Sequence, residues 1–273
     1  MRFCINPITF GDVDYPAAIE AAAAGGFEAV ELWLPHVEAF LAKGHSVAEA
    51  RAVLAHNGLN AVGACFVAGL LTSTGEAKRQ AFDVAKARFE LCQALGADTI
   101  ICVGDGPQQP TADDYAHAAE QAREIGDLAS SFELTVAIEF AAGTRFLATL
   151  ATAARLVRDA EHAALGIAFD FFHFYAGPSK LADFERLDGV PISFVHLTDA
   201  ADVPREMLRG DHRVLPGEGC FPVEDLVRRL QQAGYDGYYS LELFNPALRR
   251  QEPPQVARAA FEACQRLASR LAE

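Results

Sequence analysis

Short apolar runs alternate with amphipathic stretches along the whole chain, and this alternation restricts the fold more than any other feature. Eight runs are strand candidates, at 1–6, 29–34, 60–67, 99–104, 135–140, 165–173, 193–198 and 237–243. Helix candidates separate them, near 15–25, 46–57, 76–95, 112–131, 147–160, 180–187, 222–233 and 255–272. The runs are apolar on both faces, which is typical of parallel strands covered by helices. The pattern predicts an α/β fold, a (β/α)8 TIM barrel, with a doubly wound open sheet as the alternative.

Length and composition favour one domain. The chain has 273 residues, of which 51% are hydrophobic, and α/β barrels commonly run to roughly 250 residues as one domain. No stretch rich in Pro, Gly or Ser divides the sequence. We therefore expect a single TIM-barrel domain over residues 1–273.

Charge, hydropathy and cysteine content limit the partners and the compartment. The formal net charge of −14 argues against nucleic acid or an anionic membrane as the main partner. We find no signal peptide and no run of about 20 apolar residues, so no membrane span is expected. The six cysteines form no CxxC pair. They are interpreted as buried free thiols, which suit a reducing cytoplasm.

An acidic residue or a histidine stands at or near the end of each of the last four strand candidates. These residues are Glu139, Asp170, His196 and Glu242, separated by 31, 26 and 46 positions. One βα unit of a barrel averages roughly 31 residues, so four consecutive strands would deliver them to one mouth. Buried charges are costly unless they are paired or bind a metal. The set predicts one divalent metal, Mn²⁺, Co²⁺, Zn²⁺ or Mg²⁺; the alternative is four separate buried groups with local partners.

The connection from 199 to 221 shows no clear helix or strand pattern. Long loops in compact domains are usually functional, and this one follows the seventh strand, on the side of barrel active sites. Pro216, Gly217 and Gly219 indicate a rigid turn that holds Arg213 over the site. Asp199 either orients a metal ligand or caps the loop.

Other residues near the strand ends are candidates for the substrate pocket. His173 comes three residues after Asp170, where the sixth strand candidate ends, and either leans over the mouth or is an interfacial histidine. Trp33 and Phe66 lie near the ends of the second and third strand candidates and are expected to contact substrate, with His36 also near the pocket. Aromatic residues at such positions are also common in cores.

Several motifs are missing, and their absence excludes function classes. The sequence has no GxGxxG after the first strand, no GxxxxGK[ST] and no GxSxG, which leaves dinucleotide, P-loop and serine-hydrolase chemistry unsupported. None of the four lysines falls in a strand candidate, which disfavours Schiff-base chemistry.

Five short segments in the second half carry a family resemblance. They are Ile138-Glu139-Phe140, FDFFHF at 169–174, VHLTD at 195–199, DHRVLPGEG at 211–219 and SLELF at 240–244. Together they resemble the xylose-isomerase-like TIM-barrel superfamily of sugar isomerases and epimerases, and within it the inosose (2-keto-myo-inositol) isomerases of inositol catabolism. The likeness covers nearly the whole chain and is densest from Val136 to Pro246.

The resemblance implies a metal-dependent enzyme acting on a keto-polyol. It implies that Glu139, Asp170, His196 and Glu242 bind one metal, that Glu139 and Glu242 are the candidate bases, and that His173 and Arg213 contact substrate oxygens. The expected reaction is isomerisation of inosose, an intramolecular oxidoreduction, through a metal-bound enediolate. A dehydratase or another keto-sugar lyase on the same site is the alternative, and a non-catalytic sugar-binding barrel is a further one.

Departures from the family pattern narrow these expectations. Related 3-epimerases carry a second glutamate shortly after the fifth strand, where this chain has Ala-Ala-Gly-Thr-Arg at 141–145. Related nucleases need histidines on the third and fourth strands, which this chain lacks. Both activities are disfavoured, and the expected partner is a small polyhydroxy ketone rather than nucleic acid. Homo-oligomers are common in such families and are allowed here.

Overall fold

The computed structural model describes residues 1–272, and eight parallel strands close into a barrel within that range. The strands are β1 (Arg2–Ile5), β2 (Ala29–Trp33), β3 (Asn60–Val67), β4 (Thr99–Val103), β5 (Thr135–Glu139), β6 (Leu165–Asp170), β7 (Ile192–Leu197) and, after a hairpin, β10 (Tyr238–Leu241). Their order around the barrel follows the chain, and β1 pairs with β10 to close it. The predicted (β/α)8 barrel is confirmed, and the open-sheet alternative is wrong.

Helices lie between the strands. They are α1 (Tyr15–Gly25), α2 (Leu34–Ala42), α3 (Val47–His56), α4 (Gly75–Leu95), α5 (Ala112–Ser130), α6 (Leu150–Ala160), α7 (Phe171–Ala176), α8 (Val223–Gln232) and α9 (Pro253–Ala272). Thr111 begins α5 with a capping box, since its hydroxyl accepts from the Asp114 amide and the Asp114 carboxylate accepts from the Thr111 amide. Reciprocal bonds of this kind satisfy amides that the first turn leaves free.

The predicted helices differ from the observed ones in four places. Helices α2 and α7 follow β2 and β6 without a break and were not predicted, so the candidate strand 165–173 ends at Asp170 instead. The candidate helix 180–187 is a short 3-10 helix over Leu181–Arg186, and the candidate 147–160 begins at Leu150. Both missed helices continue an apolar run, so hydropathy alone gives no boundary between strand and helix.

The connection after β7 is more ordered than predicted. It contains a two-stranded antiparallel sheet, β8 (Asp199–Ala200) with β9 (Arg213–Val214), and 3-10 turns at Arg205–Met207 and Gly210–His212. The expectation of a segment without strands was wrong. These elements are too short for a periodic hydropathy pattern to show.

Small side chains and one aromatic ring fill the inside of the barrel. Cys4, Ala29, Cys65, Ile101, Ala137 and Ala168 form this layer together with Phe194. Gly63 leaves the space for that ring, because a Cβ at this position would lie 2.4 Å from Phe194 Cε2. This layer of the barrel interior is therefore packed and apolar.

The six cysteines are free thiols, and all except Cys220 are buried. This confirms the interpretation of the cysteines as buried thiols. In residues 1–272 no helix has the length and hydropathy required to cross a membrane.

Candidate metal centre and active site

The four polar residues predicted at the strand ends converge at the carboxyl end of the barrel. Glu139 ends β5, Asp170 ends β6, His196 lies in β7 and Glu242 follows β10. Asp170 is the register partner of His196 across β6 and β7. All four side chains are buried, with exposed fractions of 5% or less. Parallel strands of similar length bring residues at equivalent positions to the same rim.

Three carboxylates surround Nδ1 of His196. That nitrogen lies 2.9 Å from Glu139 Oε1, 3.7 Å from Asp170 Oδ2 and 3.7 Å from Glu242 Oε2. One ligand atom each from Glu139, Asp170 and His196 lies within 4.8 Å of the others, close enough to share an ion. The four groups therefore form one cluster rather than four separate buried polar residues.

Arg213 closes the cluster from the hairpin. Its Nη2 lies 2.9 Å from Asp170 Oδ2, its Nη1 lies 3.2 Å from Glu242 Oε2, and Nη1 also donates to the Glu242 carbonyl. The guanidinium lies between the rings of Phe172 and Phe244, 4.9 and 5.1 Å from their centroids. Only 2% of this residue is exposed. Arg213 is thus a buried ion-pair partner of two candidate ligands, a role that the prediction of a substrate contact did not include.

Burial and the crowding of charge shift the pKa of Glu242, Asp170 and His196. Burial raises the pKa of Glu242 to about 7, assisted by the nearby Glu139 and Glu31 carboxylates and opposed by His196 and Arg213. Burial disfavours the Asp170 anion, yet the Arg213 guanidinium and the neighbouring imidazoles hold the pKa of Asp170 well below its usual range. Burial opposes protonation of His196 as well, but the surrounding carboxylates raise the pKa of its imidazole.

The donor set fits a divalent metal. Three carboxylates and an imidazole nitrogen are ligands that Mn²⁺, Co²⁺ and Zn²⁺ accept. Asp170 Oδ2 is buried in the cluster, and apart from its ion pair with Arg213 it accepts no well-directed hydrogen bond from residues 1–272. The anions outnumber the cations at this depth, and a divalent ion would offset most of the difference.

A cavity of about 460 Å³ opens above the cluster. Its floor contains Glu139 and Glu242, and its walls include the rings of Trp33, Phe66 and Phe244. Trp33 and Phe66 contact each other, with ring centroids 5.5 Å apart. The structure therefore places at the cavity both residues that are expected to contact substrate. His36, also expected near the pocket, lines a separate cleft.

His173 lines the same cavity from α7 rather than from a strand end. Asp170 is the N-cap of this helix, and its Oδ1 accepts from the His173 amide at 2.8 Å. The ring Nδ1 of His173 accepts from the Ala142 amide at 3.2 Å. A neutral ring that accepts at Nδ1 carries its proton on Nε2, so Nε2 is the nitrogen left to donate to a bound molecule.

Asp199 anchors the loop. Its carboxylate oxygens accept from the backbone amides of Ala200, Gly217, Gly219 and Phe221 at 2.8–3.1 Å. No bond joins Asp199 to a candidate ligand within residues 1–272, so the loop-capping alternative is the observed one. The anchored segment includes β9, and Asp199 therefore helps to fix the position of Arg213.

The sequence analysis missed Glu31. This residue lies in β2, is fully buried, and places Oε1 at 3.0 Å from His196 Nε2. The run AVELW at 29–33 carries the same pattern as the four predicted residues, an acid within a short apolar strand. Unlike those four residues, Glu31 lies in the middle of its strand, so a pattern of polar residues at strand ends does not include it.

Comparison with known proteins is consistent with this geometry. A model of the xylose isomerase-like TIM barrel family matches residues 19–267. An inosose isomerase of Bacillus licheniformis is 29% identical over 187 residues, which cover 67% of this chain and 67% of that protein. A 3-dehydroshikimate dehydratase of Pseudomonas aeruginosa is 29% identical over 242 residues, which cover 86% of this chain but 37% of that longer protein.

Solved structures share the fold at low identity. The structure of IolI protein with a bound zinc atom superposes with a TM-score of 0.91, at 20% identity and 99% coverage of both chains. The close superposition extends over the whole barrel, including the strands that carry the cluster.

Proposed function

We propose that this chain, which belongs to the xylose isomerase-like TIM barrel family, isomerises an inosose or a similar cyclic polyol ketone with the help of one divalent metal. The observation that carries the proposal is the convergence of three carboxylates on Nδ1 of His196 at the floor of a cavity. The choice of substrate is supported by the relative named inosose isomerase, which this chain matches over 67% of that protein's length.

Glu139, Asp170, His196 and Glu242 would hold the metal. When bound, a divalent ion acts as a Lewis acid that stabilises negative charge developing on the ketone and hydroxyl oxygens of the substrate. The protein's part is to fix these four side chains, and the two ion pairs of Arg213 hold Asp170 and Glu242 in place.

Isomerisation moves two protons. One leaves the carbon beside the carbonyl and returns to the former carbonyl carbon, and the hydroxyl proton passes to the former carbonyl oxygen. Glu139 and Glu242 both line the cavity floor and are the candidate bases. A base is most effective when its pKa lies near the working pH. Burial raises the pKa of Glu242 to about 7 in the metal-free chain, and a bound divalent ion would hold this carboxylate in the ionised form that accepts a proton.

His173 and the aromatic walls would orient the ring. The Nε2 proton of His173 can donate to a substrate oxygen and stabilise charge on it. Trp33, Phe66 and Phe244 present apolar faces to the C–H side of a polyol ring. A cavity of about 460 Å³ with few polar groups on its floor is typical of a small-molecule site.

The proposal also covers the domain organisation, the compartment and the class of substrate. We infer one catalytic domain acting in the cytoplasm on a small polyhydroxy ketone, with nucleic acid excluded as a substrate. The free thiols and the net charge of −14 support this inference.

A dehydratase is the second candidate, and one observation favours it. Arg209 lies at the rim of the cavity, is exposed, and forms no ion pair with a carboxylate in residues 1–272. 3-Dehydroshikimate is a cyclic hydroxy-ketone that bears a carboxylate, and a rim cation would suit it. The dehydratase of Pseudomonas aeruginosa also matches more of this chain than the isomerase does.

An NMR assay separates the two reactions. The metal-loaded chain is incubated in D₂O with inosose and, in parallel, with 3-dehydroshikimate. A carbonyl moved to the adjacent carbon of inosose is the expected result, whereas loss of water from either substrate identifies a dehydratase. No change in inosose at high enzyme concentration, with turnover of neither compound, contradicts the proposed function.

A further inference from the structure

Glu31 lies beneath the active site rather than in it. It is 0% exposed and is not among the residues that line the cavity, whereas Trp33, two positions later on the same face of β2, is. Residues two apart on a strand point to the same side, so Glu31 points into the barrel one layer deeper. A group at this depth cannot touch substrate and can act only through its neighbours.

Both carboxylate oxygens of Glu31 are occupied by groups from two strands that do not pair with β2. Oε1 lies 3.0 Å from His196 Nε2 on β7, and Oε2 accepts from Ser240 Oγ at 2.6 Å on β10. Ser240 and His196 are register partners across these two strands. Two bonds to adjacent strands fix the rotamer of Glu31, and Glu31 in turn fixes the ring plane of His196.

The bond to Glu31 requires a proton on Nε2 of His196. An ionised carboxylate only accepts hydrogen bonds, so Nε2 must be the donor. In a neutral imidazole the lone pair is then on Nδ1, which is the atom that faces Glu139, Asp170 and Glu242. A carboxylate in this place also makes the ring a stronger ligand.

We propose that Glu31 is a positioning residue that holds His196 in the Nε2–H tautomer and presents Nδ1 to the divalent metal. The proposal rests on the metal site of the proposed function. It assigns a role to Glu31, which among residues 1–272 is the buried carboxylate that the first half of the barrel contributes beneath the cluster, and it requires no contact between Glu31 and substrate.

The test measures metal affinity, which a merely structural role would leave unchanged. Zn²⁺ and Mn²⁺ dissociation constants are measured by competition with a chelator for the wild-type chain, Glu31→Gln and Glu31→Leu. Glu31→Gln keeps an acceptor for Nε2 but loses the charge, and we expect about 10- to 100-fold weaker binding. Glu31→Leu keeps neither, and its affinity is expected to fall further.

Ile101→Val is the matched control. Ile101 is also fully buried inside the barrel, but its apolar side chain makes no hydrogen bond to Glu31, Ser240 or His196. Thermal unfolding of all variants measures the loss of stability. The control is expected to lose stability and keep wild-type metal affinity. Wild-type affinity in both Glu31 variants, with the metal still bound, overturns the proposal.

Nitrogen-15 NMR of the Zn²⁺-loaded chain tests the tautomer directly. We expect the His196 spectrum to show a metal-bound Nδ1 and a protonated Nε2 in the wild type. A metal-bound Nε2 overturns the role of Glu31 while the proposed function stands. A wild-type chain that binds neither metal overturns the proposed metal site itself, and the two failures are therefore distinguishable.

Discussion

The two halves of the barrel reach the same mouth with different side chains. Strands β2 to β4 end in Trp33, Phe66 and Val103, which form an apolar wall of the cavity. Strands β5, β6, β7 and β10 end in or near Glu139, Asp170, His196 and Glu242, which form a charged floor. Equivalent backbone positions therefore carry opposite chemistry.

This difference assigns substrate binding to the apolar half of the mouth and the chemical step to the charged half. The apolar half offers surface to the substrate ring, and its substitution should alter substrate affinity. In the proposed mechanism the charged half would hold the metal and the proton-transfer groups, so its substitution should alter turnover. Glu31 is the exception, because it comes from the first half and acts on the second through His196.

The largest expected effect is the loss of turnover when the charged half loses a base. Glu242→Gln keeps the side-chain volume but cannot accept a proton, and we expect kcat to fall by about 10²- to 10⁴-fold. The NMR assay with inosose measures it. Val103→Ala on the apolar half should retain kcat within a few-fold; retention of kcat by Glu242→Gln would show that Glu242 is not the base.

The largest effect on stability should come from Arg213. Arg213→Met removes a buried cation and leaves the Asp170 and Glu242 carboxylates unpaired, which we expect to cost about 3–5 kcal/mol in the free energy of unfolding of the metal-free chain. Urea unfolding measures this cost. Arg209→Met, four residues away and exposed, should change stability by less than about 0.5 kcal/mol. Equal losses in the two variants would contradict the ion pairs described here.

The charged floor should make the metal-free chain less stable as pH rises. The pKa of Glu242 is raised from 4.5 to about 7, so the folded state holds a proton that the unfolded chain releases, and stability falls across this window. The raised pKa of His196 acts in the same direction above 6.5. The lowered pKa of Asp170 contributes fully above its ordinary value and does not vary in this range.

Thermal unfolding between pH 5 and pH 8, with and without metal, measures this effect. We expect the metal-free midpoint to fall across the range. The stabilisation by metal should increase, because the ion offsets the repulsion among the carboxylates that ionise as the pH rises. Glu242→Gln should flatten the metal-free curve. A metal-free midpoint that rises steadily with pH would contradict the assigned pKa directions.

The smallest expected effect belongs to the apolar wall. Phe66→Leu removes a ring that contacts Trp33 and lines the cavity. Exchanges between apolar side chains of similar volume usually cost less than about 1.5 kcal/mol, so we expect KM to rise by less than about tenfold with kcat nearly unchanged. Steady-state kinetics with inosose checks this. A fall in kcat by a larger factor than the rise in KM would contradict the assignment of binding to the apolar half and of chemistry to the charged half.

The barrel was predictable because hydropathy reports buried strands. All eight strand candidates match observed strands to within three residues at each end. Helices α2 and α7 were missed because Trp33-Leu34 and Asp170-Phe171 join strand to helix inside apolar runs. The boundary between β6 and α7 could have been predicted from Asp170, because aspartate is a frequent N-cap residue.

The residues of the charged floor were predictable from spacing, but their partners were not. Four polar residues at similar intervals indicate one mouth without indicating which atoms meet. The pairing of Arg213 with two of them depends on the β8–β9 hairpin, whose strands are two residues long. Glu31 contacts His196 across the barrel, 165 positions away in sequence, and no local pattern reports such a contact.

The central claim is that residues from four strands form one metal site. Metal titration of the purified chain, with Mn²⁺ and Zn²⁺ followed by calorimetry, tests it most directly. The account predicts close to one equivalent bound per chain, strongly weakened in Asp170→Ala and unchanged in Arg209→Met. Binding of neither ion, or equal binding by wild type and Asp170→Ala, would contradict it.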